Sequence, residues 1–332
     1  MTLGLIVGKF YPPHRGHSHL IRTARQQVDR LVVMVAHHPS QIIPGEQRRD
    51  WLQELHPDCE IHLVRDELPN ESAPWAKFVV DYLGHAPDVV FTSEDYGAEF
   101  ARLMGSRHVL VDRERIAVPV SGTQVRSAPL DNLALLEPCV RAWYVRRAVL
   151  IGAESTGKTT LAGLLAARFR TVWVPEYGRE HWERKLEGLT LSDPPPNWSR
   201  DEFVEIAREQ QRRESLAAGV ANRILFCDTN AFATGTWHER YRGCRDAEVD
   251  QIGAADVAHL YLLTEPDIPF VQDGVRDGEH IRHWMHDRFL EQLQSGTVPL
   301  RIIRGSFDER LHAALAAIRE VLGLEPPADP ST

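Results

Sequence analysis

Two short motifs in this 332-residue chain could do chemistry on phosphate groups. The first contains His14 and His17 around a glycine, directly after the apolar run LGLIVG and before a helical pattern. Free N–H groups at the start of a helix bind anions, and imidazoles beside them can donate hydrogen bonds to charge that develops on a phosphate. The motif therefore predicts stabilisation of an α-phosphate and of departing pyrophosphate, without a covalent nucleophile.

A later segment, SGTQVR, adds to this first site. Ser121 or Thr123 can cap a helix whose N-terminus forms another anion site. Arg126 can form a forked contact to β- and γ-phosphate oxygens. The candidate catalytic residues are His14, His17 and Arg126, and the candidate ATP-binding residues are Gly8, Lys9, Phe10, Gly16, Ser121 and Thr123.

The second motif, GAESTGKT, begins at Gly152, after the apolar run RAVLIG and before a helical pattern. It is a complete G-x-x-x-x-G-K-[ST] loop in the context that the motif requires. Lys158 would bridge β- and γ-phosphate oxygens, and Thr159 would bind Mg²⁺. Asp228 ends the strand-like RILFCD and could serve the metal, act as the base, or only cap the next helix. The candidates here are Gly152, Glu154, Ser155, Thr156, Gly157, Lys158, Thr159, Thr160 and Arg276 for ATP, Thr159 and Asp228 for metal, and Lys158 and Asp228 for catalysis.

Two further segments carry charges that suit a kinase. Glu176 follows the strand-like TVWVP and could accept a proton from a sugar hydroxyl or bind ribose, or simply mark the start of a helix. The segment FVQDGVRDGEHIR carries Asp273, Arg276, Asp277 and Arg282 around two glycines. We interpret it as a mobile lid whose arginine closes over the transferred phosphoryl group; the alternative is a charged surface loop.

Apolar runs that alternate with amphipathic stretches predict an α/β protein with two doubly wound parallel-sheet domains. The predicted parts are a first domain at 1–128, a connector at 129–146, a second domain at 147–324 and a tail at 325–332. In the first domain, strands are predicted to begin at Leu3, Arg30, Glu60, Asp88 and Arg107. The second domain is predicted to have strands at RAVLIG, RILFCD, DVAHLYLL and VPLRII and helices at 158–168, 200–221 and 307–322, with a loop at 188–199.

The composition excludes several other classes of protein. No stretch approaches the ~20 apolar residues of a membrane helix, and the first residues lack the basic region of a signal peptide, so we expect a cytoplasmic protein. The four cysteines form no C-x-x-C pair, which argues against structural zinc or a disulfide framework. A net charge of −9 argues against broad nucleic-acid binding. The sequence is compatible with a homo-oligomer.

The first-site motifs carry a family resemblance. GKFYPPHRGH is similar to the G-x-F-x-P-x-H-x-G-H signature of the nucleotidylyltransferase superfamily, and SGTQVR to its late I-S-x-T-x-x-R motif, with Val120 in the first place. QRRDWL resembles the R-x-x-W-[IL] stretch of nicotinamide mononucleotide adenylyltransferases, where this region helps to hold the mononucleotide. Trp51 could stack on a pyridinium ring, or it could only face the core of its helix.

The order of parts, an HxGH loop followed by a P-loop, resembles the NadR family of bifunctional nicotinamide-nucleotide adenylyltransferases and ribosylnicotinamide kinases. PEYGRE, FCDTNAF and FVQDGVR extend the resemblance over nearly the whole chain. It implies a Rossmann-like nucleotidylyltransferase domain, then a P-loop kinase domain, which together make NAD from nicotinamide riboside with ATP and Mg²⁺. The substrate-binding candidates are Arg48, Trp51, Trp173, Glu176, Tyr177 and Arg179.

The sequence departs from some family members in two respects. Those members carry an N-terminal helix-turn-helix, whereas this sequence begins at the first predicted strand, so we do not expect DNA binding. Some also have an aromatic residue directly before E-Y-G-R-E, where this chain has Pro175, which leaves Trp173 or another aromatic to replace it. Three alternatives remain open: a kinase for a different nucleoside, one inactive domain that only binds nucleotide, and a nucleotide sensor without turnover.

Overall fold

The computed structural model describes residues 1–187, 197–273 and 276–328 of the chain. These residues form two compact units, Met1–Arg141 and Ala142–Thr332. The division between the two units falls inside the segment predicted as a connector.

The first unit has a parallel five-stranded sheet in the order β3-β2-β1-β4-β5. The order reverses between β1 and β4, so the loops after these two strands leave the sheet in different directions. The strands are β1 (Leu3–Gly8), β2 (Arg30–His37), β3 (Glu60–Arg65), β4 (Val89–Thr92) and β5 (Arg107–Leu110). The helices are α1 (Arg15–Arg25), α2 (Gly45–Leu55), α3 (Ser72–Leu83), α4 (Gly97–Met104), α5 (Gly122–Ser127), a 3₁₀ turn at Leu133–Leu135, and α6 (Pro138–Tyr144), which runs into the second unit.

Both faces of the first sheet are covered, as the continuous apolar strands predict. Leu5 and Ile6 are adjacent on β1 and almost fully buried, but they belong to opposite layers of the core. Ile21 of α1 packs in the layer of Ile6, and Val79 of α3 packs in the layer of Leu5. This packing holds the carboxyl end of β1, and therefore the loop that contains the two histidines, in a fixed position.

The second unit also has a parallel five-stranded sheet, in the order β10-β9-β6-β8-β7. The strand β6 before the P-loop is central, between β8 and β9. The strands are β6 (Arg146–Ile151), β7 (Trp173–Val174), β8 (Ile224–Asp228), β9 (Leu260–Thr264) and β10 (Leu300–Ile303). The helices are α7 (Lys158–Phe169), α8 (Tyr177–Leu186), α9 (Arg200–Ala218), α10 (Ala231–Arg242), α11 (Ala247–Ala254), a 3₁₀ turn at Glu279–Ile281, α12 (Arg282–Gln294) and α13 (Phe307–Leu322).

The structure confirms the predicted fold class. The helix predicted at 307–322 has the same bounds as α13, while α9 ends at Ala218, three residues before its predicted end. No range was predicted for α10, whose sequence includes Thr234, Gly235 and Thr236, which are poor helix formers. Their burial shows that tertiary packing, rather than intrinsic propensity, stabilises α10.

Parts of two predicted segments lie outside the described residues: 188–196 of the loop and 329–332 of the tail. The tail is described as far as Ala328, whose carbonyl oxygen accepts a hydrogen bond of 3.2 Å from Arg170. Among the described helices, none combines the length and hydrophobicity that crossing a membrane requires.

Candidate active sites

A cavity of about 660 Å³ opens in the first unit beside Gly8 and Thr92, at the carboxyl ends of β1 and β4. This is the point at which the strand order reverses, where parallel α/β sheets commonly bind ligands. The structure brings together here all nine residues predicted for catalysis or ATP binding: Gly8, Lys9, Phe10, His14, Gly16, His17, Ser121, Thr123 and Arg126.

His14 and His17 cap the first turn of α1 reciprocally. The His17 backbone N–H donates to His14 Nδ1 at 3.3 Å, and the His14 backbone N–H donates to His17 Nδ1 at 3.2 Å. The two rings stack with centroids 3.6 Å apart. This is a capping box in which imidazoles replace the usual hydroxyl and carboxyl groups.

The capping contacts define the chemistry of both rings. A nitrogen that accepts a hydrogen bond has a free lone pair, so the proton of each neutral ring is on Nε2. Burial, followed by the positive charge of Arg115, lowers the pKa of His14 to about 4. Burial, then the charges of His14 and Arg115, also lowers the pKa of His17 well below its usual range. Both imidazoles are therefore neutral at pH 7 and retain Nε2–H as a donor for a phosphate oxygen.

The close packing around position 16 explains why a glycine is suited to it. A Cβ atom there would lie 3.1 Å from Val120 Cγ1 and 3.2 Å from His14 Cε1. A side chain at position 16 would require Val120 or the His14 ring to move by a few tenths of an ångström, so glycine favours the close approach of α1 to the segment that leads into α5. The glycine of the motif therefore keeps the two predicted parts of the site together.

Tyr11 joins the histidine loop to α5. Its carbonyl oxygen accepts a hydrogen bond of 2.5 Å from Arg126 Nη1, and its ring has the guanidinium groups of Arg126 and Arg48 at 5.2 and 5.4 Å from its centroid. Arg126 Nη2 also donates to Thr123 Oγ1 at 3.1 Å. Arg126 is exposed, so its remaining N–H groups can reach a ligand in the cavity.

Arg48 and Trp51 are buried on α2 and are not among the described residues that line the cavity. Arg48 is fully buried and donates to the carbonyl oxygens of Lys9 and Pro44 and to Gln41 Oε1, so it supports the histidine loop from below. Trp51 is 5% exposed, as the core interpretation of this residue predicts. Contact between either side chain and a ligand stays a prediction.

The second unit has a narrower cavity of about 160 Å³, next to the P-loop. Glu154, at the start of the loop, and Glu176, after β7, lie on its wall together. Ten of the predicted residues line it: Glu154, Ser155, Thr156, Gly157, Lys158, Thr159, Thr160, Glu176, Arg179 and Arg276. The predicted residues Gly152, Trp173, Tyr177 and Asp228 are not among the described lining residues.

Gly152 and Thr156 set the shape of the P-loop. Gly152 has a φ of +156°, and a Cβ atom there would lie 2.3 Å from Thr264 Oγ1. Thr156 Oγ1 donates to Ala153 O at 2.8 Å and lies 2.7 Å from Thr264 Oγ1. The loop is thereby anchored to the end of β9, and Lys158 Nζ lies inside it, 2.9 Å from Ala153 O.

Asp228 lies at the carboxyl end of β8 beside the P-loop, where the sequence placed it. Thr159 Oγ1 donates to Asp228 Oδ2 at 2.5 Å, whereas Asp228 Oδ1 is buried and has no hydrogen-bond partner among the described residues. Burial raises the pKa of Asp228, while the charge of Lys158 and the hydrogen bond from Thr159 oppose that rise. A hydroxyl and an oxygen atom with unused acceptor capacity suit Mg²⁺, which binds oxygen ligands together with phosphates and water.

Glu176 lines the same cavity as the P-loop lysine, Lys158. Burial raises the pKa of its carboxyl group to about 7; Lys158 lowers it, and Asp228 and Glu154 raise it further. A carboxyl group that titrates near neutral pH is suited to accept a proton.

The predicted lid segment, FVQDGVRDGEHIR, contacts the P-loop at three described points. Val271 N–H donates to Ser155 Oγ at 2.8 Å, and Gly278 N–H donates to Glu154 Oε2 at 2.8 Å. Arg282 donates to the carbonyl oxygen of Ser155 at 3.1 Å. The predicted lid therefore lies against the P-loop; its residues 274–275 fall outside the described residues.

Family models match a large part of each unit of the chain. The cytidylyltransferase-like family matches residues 5–128, and an AAA domain family matches residues 147–310. The trifunctional NAD biosynthesis/regulator protein NadR of Escherichia coli (strain K12) is 27% identical over 348 residues, which cover 97% of this chain and 84% of that protein. The chain belongs to the NadR family.

Two solved structures of the NadR family have the same fold. A crystal structure of NadR protein in complex with NR is 22% identical, with a TM-score of 0.75 over 98% of each chain. A second, in complex with NAD and AMP-PNP, is 22% identical, with a TM-score of 0.71 over 99% of this chain and 98% of that one.

The structure also assigns positions to the aromatic residues of this NadR-family chain. Trp173 lies on β7, and a Cβ atom added to Gly163 of α7 would lie 3.9 Å from its indole. Trp182 and Trp198 line the kinase cavity instead, and their rings stack with centroids 4.7 Å apart. Trp182 lies on α8, five residues after Tyr177. It was not predicted as a site residue, because no range was predicted for this helix.

Tyr177 is buried and is not among the described residues that line the cavity. Its backbone N–H donates to Gln210 Oε1 at 2.9 Å, and Arg184 donates to its hydroxyl at 2.7 Å. Arg179 forms an ion pair of 2.6 Å with Asp273, and Arg276 forms one of 3.3 Å with the same carboxylate. Two of the predicted phosphate- or substrate-binding arginines therefore meet at Asp273.

Proposed function

We propose that this chain makes NAD from nicotinamide riboside in two ATP-dependent steps. The second unit phosphorylates the 5′-hydroxyl of the riboside, and the first unit joins the resulting mononucleotide to AMP and releases pyrophosphate. The single observation that carries this proposal is the presence, in one NadR-family chain, of two cavities that each open beside an anion-binding helix N-terminus. The relative in complex with NR and the one in complex with NAD and AMP-PNP support the choice of substrates.

In the kinase step, the P-loop amides and Lys158 would hold the β- and γ-phosphates of ATP. Thr159 and Asp228 would hold Mg²⁺, which when bound neutralises charge on the phosphates. The short contact between Thr159 and Asp228 keeps both side chains at the mouth of the P-loop before nucleotide arrives.

Glu176 is the residue that we assign as general base. It lines the cavity, and its raised pKa of about 7 lets it accept a proton from the riboside hydroxyl near neutral pH. Asp228 is less suited to that role because Thr159 holds one of its oxygens at 2.5 Å and it is not among the described lining residues. Asp228 therefore binds the metal ion, and Glu176 accepts the proton.

The aromatic wall of the kinase cavity suits a flat cationic ring. Trp182, Trp198, Trp237 and Tyr241 all line the cavity. The pyridinium ring of nicotinamide riboside carries a positive charge that the faces of tryptophan and tyrosine rings attract. These residues are candidates for the aromatic other than Trp173 that could replace the one missing before Glu176.

In the adenylyl-transfer step, an oxygen atom of the mononucleotide phosphate attacks the α-phosphorus of ATP. The bond between that phosphorus and the oxygen bridging to the β-phosphate breaks, and pyrophosphate leaves. His14 and His17 donate Nε2–H to the developing charge, together with Arg126 and the N-terminus of α1. Because both imidazoles are neutral donors, the site needs no proton transfer to operate.

Product analysis tests the proposal directly. The full chain is incubated with ATP, Mg²⁺ and nicotinamide riboside, and the products are separated by chromatography. We expect NAD, with mononucleotide as an intermediate. Mononucleotide alone would indicate an inactive first unit, and phosphorylation of deoxynucleosides in preference to the riboside would indicate a different kinase.

Two variants assign each step to its unit. Lys158→Ala should abolish riboside phosphorylation and leave NAD formation from supplied mononucleotide unchanged. His17→Ala should abolish NAD formation and leave riboside phosphorylation unchanged, so that mononucleotide accumulates. ATP binding by the wild-type chain with no ADP or pyrophosphate released would favour the sensor alternative and contradict the proposal.

A further inference from the structure

The loop from β5 to α5 carries an arginine that neither predicted motif includes. Asp112 organises this loop: its carboxylate accepts hydrogen bonds from the backbone N–H groups of Ile116, Ala117 and Val118 at 2.8, 3.1 and 3.2 Å. These contacts close a tight turn over residues 112–118. Arg115 lies within the turn and lines the cavity that also contains both histidines.

Arg115 differs from the other cations of that cavity in its contacts. Lys9 forms an ion pair of 2.7 Å with Asp66, and Arg126 donates to Tyr11 O and Thr123 Oγ1. The Arg115 side chain, in contrast, makes no hydrogen bond or ion pair with any residue that the structure describes. An exposed guanidinium in an otherwise ordered turn has all five of its N–H donors available to a ligand.

Arg115 also lies close enough to both histidines to act on them electrostatically. All three residues line the same cavity, and the positive charge of Arg115 contributes to lowering the pKa of His14 and of His17. The same loop continues through Val120 into Ser121, the cap of α5. Arg115 and Arg126 are therefore carried by the two ends of one segment, residues 115–126, and both line one cavity.

We propose that Arg115 is a catalytic residue of adenylyl transfer that binds the departing pyrophosphate together with Arg126. The assignment rests on the proposed function of the first unit. The ligand class is a di- or triphosphate chain, since a forked guanidinium matches two adjacent phosphate oxygens. A lysine at this position would keep the positive charge but could not form the paired hydrogen bonds of a guanidinium.

Pyrophosphate is favoured over the acceptor phosphate for two reasons. Its charge rises as the bond to the α-phosphorus breaks, so a cation there contributes more in the transition state than in the ground state. The residues that follow β3 and line the cavity, Asp66, Glu71 and Trp75, include two carboxylates, and Lys9 is already paired with Asp66. Arg115 instead belongs to the segment that carries Ser121 and Arg126.

The test compares forward and reverse reactions of the full chain with Arg115→Ala, Arg115→Lys and Arg113→Ala. Arg113 is the matched control, because it is on the same loop but pairs with Asp95 at 2.7 Å and is not among the described lining residues. We expect Arg115→Ala to lower forward kcat/KM for ATP about 100-fold. In the reverse reaction, it should raise the KM for pyrophosphate at least ~10-fold and change the KM for NAD less than ~3-fold.

Arg115→Lys should retain an intermediate activity, and Arg113→Ala should remain within about 2-fold of wild type. Wild-type kinetics of Arg115→Ala in both directions would overturn the inference, as would a raised KM for the mononucleotide with pyrophosphate unaffected. Riboside phosphorylation by the same preparation, together with a wild-type thermal unfolding profile, shows that the variant is folded. A wild-type chain that makes no NAD from mononucleotide and ATP would refute the proposed function itself, which distinguishes the two failures.

Discussion

Thr159 Oγ1 donates a hydrogen bond of 2.5 Å to Asp228 Oδ2, although the two residues are 69 positions apart in sequence. Parallel pairing of β6 with β8 explains this contact, since it places the end of β8 beside the P-loop that follows β6. The second oxygen of Asp228 is buried without a hydrogen-bond partner among the described residues. The pair therefore presents one hydroxyl and one carboxylate to the place where the phosphates of ATP and Mg²⁺ would bind.

Asp228→Asn should abolish most kinase activity. The amide keeps the shape and can still accept from Thr159, but it removes the negative charge that a metal ion requires, so we expect kcat for riboside phosphorylation to fall about 10²- to 10³-fold. Steady-state rates at increasing Mg²⁺ measure this. NAD formation from supplied mononucleotide is the internal control and should not change; equal kinase rates in variant and wild type would rule out a metal role for Asp228.

Glu176 gives the kinase step a dependence on pH. Its carboxyl group has a pKa raised to about 7 by burial, so the proton-accepting form is lost as the pH falls through 7. We expect kcat to decrease on the acid side of pH 7 and to reach a plateau above pH 8. Glu176→Gln should lower kcat about 10²- to 10⁴-fold and remove this dependence, with little change in the KM for ATP.

Glu180→Gln is the matched control for Glu176→Gln. Glu180 is on the same helical segment, but it forms ion pairs with Arg213 and Arg184 and is not among the described residues that line the cavity. It should keep both the rate and the pH profile of the wild type. An unaltered pH profile in Glu176→Gln would show that another group accepts the proton.

The sequence predicted the sites better where the motif is local. Gly8, His14, Gly16 and His17 fall within ten residues, and one strand, one loop and one helix position all of them. Their spacing was therefore sufficient to predict that these four residues line one cavity. The fold class followed in the same way, from apolar strands that alternate with amphipathic helices.

Where tertiary packing brings residues to a cavity from distant parts of the chain, no short motif could predict them. Trp198 precedes α9 and Tyr241 lies on α10, yet both line the kinase cavity with ring centroids 5.3 Å apart, and no short motif links them. Arg115 lies between the two motifs of the first site and belongs to neither. For Trp51, a helical pattern alone could not distinguish a side chain that faces the core from one that contacts a ligand.

The two histidines should make α1 sensitive to acid. The pKa of His14 is lowered to about 4 from an unfolded value of 6.5, so between these values the unfolded state binds the proton more readily. The stability contribution is complete above pH 6.5 and is lost as the pH falls towards 4. A shift of this size corresponds to about 3 kcal/mol.

His14→Asn tests this prediction, because asparagine also caps helices but does not titrate. Hydrogen exchange of the α1 amides, measured by mass spectrometry in the full chain, should show protection that falls between pH 7 and pH 5 in the wild type and falls less in the variant. His312 is a suitable control position: it is exposed on α13 in the other unit, and His312→Asn should leave the pH dependence of α1 unchanged. An identical decline in His14→Asn and wild type would contradict the assignment.

The stacked pair Trp182 and Trp198 should determine affinity for the riboside. Trp182→Ala removes one aromatic face from the kinase cavity while the P-loop stays intact, so we expect the KM for nicotinamide riboside to rise about 5- to 50-fold. The KM for ATP should change little. Trp173→Phe is the matched control, because Trp173 contacts α7 and is not among the described lining residues. If Trp173→Phe instead raised the riboside KM and Trp182→Ala did not, the pyridinium ring would bind on the β7 side, and the aromatic wall would have no part in recognition.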